Sequence, residues 1–185
     1  MKKILFLLLL VSLFGCDMFK TEITGLVTYN QSETFDHAPD AGAEIYFINR
    51  DNLTKEYINI LDSLCDKWDP MMLSFKYRIK ESELKILNAK DKISTNKYLD
   101  SLLSYQSFIL ESAISDLYEI NRLQSMSKCK DLSFMASSGG DFKALLPNGD
   151  YAVFAYHRKI RVLSSDYHLY VPTTKTIHIE SKIAL

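Results

Sequence analysis

"GGDFKALLPNGDYAVFAY", residues 139–156, decides the fold. Phe142, Ala144 and Leu146 alternate with Asp141, Lys143 and Leu145. Successive side chains of a strand point to opposite faces, so this spacing predicts a strand with one apolar side. Pro147-Asn148-Gly149-Asp150 then predicts a tight turn, because Pro fixes φ and Gly accepts a positive one. Tyr151, Val153 and Ala155 resume the alternation, so the stretch reads as a turn between two antiparallel strands.

The same period recurs outward from it. Near the start of the chain Ile23, Val27 and Tyr29 share a face, with Gly25 between them. The polar stretch "NQSETFDHAPDAG" follows, broken by Pro39 and Gly42, and then Ala43, Ile45 and Phe47 alternate with Glu44, Tyr46 and Ile48. Downstream, "HLYVPTTKTIHIES" predicts a last strand with Ile177 and Ile179 opposing His178.

Together these elements resemble the carboxypeptidase regulatory-like domain. The residues that carry the resemblance are Ile23-x-Gly25-x-Val27, Ala43-x-Ile45-x-Phe47 and Gly140-Asp141-Phe142-x-x-x-Leu146-Pro147-x-Gly149-x-Tyr151; Asn148 stands where that family commonly has Pro. The resemblance implies a prealbumin-like (transthyretin-like) β-sandwich and a module without chemistry of its own. The expected fold class is therefore α+β. An antiparallel sandwich is formed by residues 21–50 and 139–185, with a three-helix insertion over 51–128 between its second and third strands and a return loop over 129–138.

The insertion follows from a change of period. Leu53, Tyr57, Ile60, Leu61 and Leu64 recur three or four apart, after a cap at Asp51 or Asn52. Asp69-Pro70 reads as an N-cap followed by Pro at the first helical position, so a second helix is expected there, with Met72, Phe75, Ile79 and Ile86 as its stripe. A third helix is expected after Ser94 or Thr95. It carries two stripes: Tyr98, Leu102, Tyr105, Ile109, Ala113, Ile120 and Leu123, and beside them Leu99, Leu103, Leu110, Ile114 and Leu117. Two stripes cover roughly half the circumference, which predicts contact with two surfaces and so three packed helices.

The N-terminus reads as a targeting segment. Lys2 and Lys3 precede an apolar run from Ile4 to Phe14, too short to span a bilayer core, which needs about 20 residues. Leu13-Phe14-Gly15-Cys16 resembles the lipobox of bacterial lipoproteins, although Phe14 replaces the usual small residue. The resemblance implies removal of residues 1–15, acyl chains on Cys16, and a short tether over 16–20. Attachment would be to the bacterial cell envelope, with the outer membrane favoured over the inner and the leaflet left open. Cys65 and Cys129 then remain, an even number in a compartment that permits disulfides. A bond between them is favoured over two unpaired thiols and would contribute roughly 4 kcal/mol by loop entropy.

Chemistry-bearing motifs are scarce. His37, His157, His168 and His178 lack metal-ligand spacing; His168 and His178 would meet only if their strands were adjacent, and solvent-facing strand histidines are the preferred reading. Glu33, Asp36 and Asp40 do not form a calcium loop, and Ser137-Ser138-Gly139-Gly140 does not form a phosphate loop. A net charge of −1 argues against a nucleic-acid partner. No metal, cofactor or enzymatic activity is expected. Tyr46, Phe154 and Tyr156 oppose the core-facing sets and define an aromatic face for glycan or protein unless helices cover it, and cover by helices is preferred. The leading expectation is a lipid-anchored envelope protein that scaffolds or binds another envelope protein through its helices; the alternative is a glycan-binding module.

Overall fold

A computed structural model describes residues 20–30, 37–128, 133–158 and 161–184. In chain order it contains β1 (Lys20–Asn30), β2 (His37–Pro39), β3 (Glu44–Asn49), a 3₁₀ turn (Arg50–Asn52), α1 (Lys55–Leu87), α2 (Lys92–Met126), β4 (Ser133–Met135), β5 (Asp141–Pro147), β6 (Gly149–His157), β7 (Val162–Val171) and β8 (Thr176–Ala184).

The strands form two four-stranded sheets. In the first, β5 and then β2 lie antiparallel along β1, and β8 runs parallel to it. The second has the order β4-β3-β6-β7, antiparallel throughout. Ile23, Val27, Phe142, Leu146, Ile177 and Ile179 from the first sheet meet Ile45, Phe47, Tyr151, Val153 and Leu169 from the second in one core, so the sheets face each other as a sandwich. Glycine is required at position 25, where an added Cβ would lie 2.1 Å from the Phe142 ring.

The turn over 147–150 behaves differently from expectation. It does not join paired neighbours; β5 hydrogen-bonds to β1, whereas β6 hydrogen-bonds to β3 and β7. The turn therefore carries the chain across the core from one sheet to the other. Tyr151 pins it, burying its ring in the core while its hydroxyl donates to the Pro147 carbonyl at 2.9 Å. Three further strands differ from expectation: β2 lies within the polar stretch before Ala43, β4 lies within the expected return loop, and β7 precedes β8 where one last strand is expected. The insertion accordingly joins β3 to β4, the third and fourth strands along the chain.

The second sheet is apolar on both faces, the condition for a further layer against its outer side. Tyr46, Ile48, Ala152 and Phe154 on that side pack against Leu61, Leu64, Cys65 and Trp68 of α1 and Ile109, Ala113, Ile120 and Leu123 of α2. The outer side of the first sheet presents Glu22, Lys143, Thr176 and His178 to solvent. The layers thus run sheet, sheet, helices.

Three packed α-helices are not what the insertion contains. It has the 3₁₀ turn and two long helices, because α1 passes through Asp69-Pro70 without a break. Pro70 is exposed, so the backbone donor it lacks is missing on the side where water can substitute. Asp91, not Ser94 or Thr95, caps α2, its carboxylate accepting from the Ser94 amide at 2.7 Å.

Candidate functional site

At about 1.5 Å per residue the two helices are each roughly 50 Å long. Only part of each lies on the sheet. Buried positions of α1 end at Trp68, and those of α2 begin at Ile109; between them, over 72–105, no described side chain is buried. Over this stretch the two antiparallel helices form an arm and contact each other. Tyr105 offers its hydroxyl to Ser74 at 3.5 Å and its ring face to Arg78, 4.6 Å from the centroid, while Lys85 lies over Tyr98 at 5.8 Å.

Two helices alone cannot cover the apolar residues this stretch carries. Leu73, Tyr77, Leu84, Leu87, Ile93, Leu99 and Leu103 are all exposed, with Leu87 and Ile93 at 80% and 83% flanking the connecting turn. Large exposed apolar side chains concentrated on one element mark interaction sites. A shallow cleft of about 470 Å³ lies between the last turn of α1 and the first of α2. Within it Lys85 pairs with Glu81, and the Asp91 carboxylate accepts from the Ser94 amide.

Where the arm meets the body, a polar tie crosses between the helices. Asp116 Oδ2 accepts from Lys67 Nζ at 2.7 Å and from the buried Trp68 indole at 2.8 Å. On the sheet below, the Tyr46 hydroxyl donates to Glu44, which Arg158 also holds through Nε at 2.8 Å. Burial pushes the Glu44 carboxyl up, but Tyr46 and Arg158 together hold it below its usual value. Burial and the bond to Glu44 raise the Tyr46 hydroxyl, which therefore stays a donor.

A second polar centre links the two sheets. His157 has no solvent exposure; its Nδ1 lies 2.7 Å from Asp40 Oδ2 and its Nε2 2.7 Å from Ser164 Oγ. The order Asp-His-Ser is that of a hydrolytic triad. The His157 ring, which would be the base, is wholly enclosed, however, and a general base must come within hydrogen-bond reach of its substrate. The centre is placed to join the turn before β3 to the β6–β7 connection. Sequence spacing offers no signal for it, since Asp40 lies 117 residues from His157.

Of the residues singled out by sequence, Cys16 and Cys129 lie outside the described residues, and Cys65 is buried between α1 and the sheet. Tyr46 and Phe154 do not form an open aromatic face; both are buried beneath the helices, with Tyr156 half-buried at the margin. The strands that carry His168 and His178, β7 and β8, belong to different sheets and do not pair; His178 bonds Thr28 Oγ1 at 2.9 Å. Among the described residues no group of three or more His, Cys, Asp or Glu can hold a metal ion, and no helix is long and apolar enough to cross a membrane.

No family model matches the chain, and no curated protein matches it. Among solved structures, the pilus backbone protein RrgB of Streptococcus pneumoniae is similar at 9% identity, with a TM-score of 0.26, over 87% of this chain and 41% of that one. Likeness at that level carries no argument about function.

Proposed function

We infer that this chain is a lipid-anchored bacterial envelope protein without a catalytic role, in which a β-sandwich holds a helical arm that engages another envelope protein. The observation that carries this reading is the arm itself: over 72–105 no described side chain is buried, yet seven large apolar residues are exposed. The anchor rests on the lipobox-like Leu13-Phe14-Gly15-Cys16. Acyl chains on Cys16 would attach the protein at roughly 0.8 kcal/mol per buried methylene, with the outer membrane as the favoured site. The sandwich is read as prealbumin-like, of the carboxypeptidase regulatory-like kind. The quoted motif residues supply strands β1, β3, β5 and β6 and the sheet-to-sheet turn. A non-catalytic role is supported by the enclosure of the His157 ring.

Two measurements test the reading. Metabolic labelling with palmitate should mark the wild type and be lost in Cys16→Ser. Purification from solubilised membranes should recover a specific protein with the wild type, and lose it when residues 74–104 are replaced by a short turn. Retention on cell-wall polysaccharide without any protein partner, or turnover abolished by Ser164→Ala, would overturn it.

A further inference from the structure

We propose that the fold stands the arm off the membrane: lipid and arm tip are carried at opposite poles of the molecule, so the arm meets its protein partner well away from the anchoring bilayer. This rests on the reading that Cys16 is acylated and that the arm recognises a protein, and it names where that recognition takes place. Lys20 opens β1 and is paired with Pro147, so the chain enters the sandwich at the end where β5 turns into β6. Four residues lead from Cys16 to Lys20 and span at most about 14 Å, which keeps that end next to the lipid. The insertion starts at the same end. Asn49 pairs with Tyr151 at the close of β3; beyond it the Asp51 carboxylate accepts from the Asp150 amide at 3.0 Å, and Arg50 Nε lies 3.5 Å from Asp150. The Ser127 carbonyl, just past α2, accepts from Asn52, so α1 begins and α2 ends here.

From that end the helices run toward the other. Near the close of α2 the Asn121 side chain meets the Tyr46 hydroxyl, which also donates to Glu44. Glu44 pairs with Tyr156 and is held by Arg158, at the end of the second sheet remote from Asn49 and Tyr151. Burial on the helices ceases at Trp68 and Ile109, and the arm continues past the sheets. Since α1 has 33 residues, the connecting turn stands about 50 Å of helix from the end that carries the lipid. Contact with the bilayer itself would need the molecule to lie on a flank. The outer side of the first sheet offers Glu22, Lys143, Thr176 and His178 there, a polar surface with little to bury in lipid. Upright, the arm addresses a protein that projects from the same membrane or belongs to a layer beyond it, not one confined to the bilayer.

The test is energy transfer in vesicles of phosphatidylethanolamine and phosphatidylglycerol that carry an acceptor dye on their headgroups, with the lipidated full chain reconstituted into them. A donor dye is attached through a noncanonical amino acid at position 148, in the turn at the lipid-bearing end, or in a separate variant at position 93, beside the connecting turn of the arm. Both positions are exposed, and matching thermal melts verify that the variants fold. The length of the helices sets the expected transfer from 148 at about tenfold that from 93. Equal transfer from the two positions, or greater transfer from 93, shows the arm lying on the bilayer; it overturns the placement and leaves the lipid anchor standing. Transfer from neither position shows that no acyl chain holds the protein to the vesicle, and removes the anchor and the placement together.

Discussion

His157 is fully enclosed, yet each ring nitrogen meets a partner: Asp40 on one side and Ser164 on the other. Asp40 Oδ1 has no hydrogen-bond partner among the described residues, so Asp40 depends on His157 for its side-chain contact. Removing one member of such a buried pair strands the other. His157→Leu should therefore lower the unfolding free energy by about 3 kcal/mol, and Ser164→Ala by about 1 kcal/mol, read from urea midpoints at constant m. Glu44 gives a pH dependence of known sign. Its carboxyl is held below the unfolded value of 4.5, so the unfolded state takes up protons first as pH falls. Its contribution is complete above about pH 5 and is lost as pH drops through the folded-state value. Stability curves of the wild type and Glu44→Gln should diverge at neutral pH and converge toward pH 3; parallel curves throughout that range would show that Glu44 contributes nothing.

At the level of elements, Pro70 marks the limit of what local sequence reveals. Asp-Pro reads identically at a helix start and in mid-helix, and the difference here comes from Trp68 and Cys65 being buried against the sheet just before it, which carries the helix onward. Pro70→Ala should raise stability by about 1–3 kcal/mol, visible as a higher Tm, because it restores a backbone donor at an exposed site. Asp116→Ala should instead cost about 2 kcal/mol by leaving the buried Trp68 indole without its acceptor. The alternation of Tyr46 and Phe154 against Ile45 and Val153 was plain in the sequence, as was the apolar period of both helices. Strand β7 was not, because Ser164, Ser165 and Asp166 interrupt its pattern. Nor was the partner of β5, since alternation tells which way a side chain points but not which strand lies alongside.

Across the whole molecule, burial is uneven. The two sheets and the proximal helices share a filled interior, and the arm does not. Local opening follows the density of buried contacts, so amides over 72–105 should exchange with solvent well before those over 61–68 and 109–124 in native-state hydrogen exchange. Uniform protection along both helices would show that the arm is stabilised by something other than burial. Where the insertion leaves and rejoins its host, Asn52 Nδ2 donates to the Ser127 carbonyl at 3.0 Å, so both feet stand on one spot. A segment attached that way behaves as a cassette. Each added helical turn in both limbs would lengthen its reach by about 5.4 Å without asking the strands beneath to move. The sandwich can thus stay constant while what it holds up is resized.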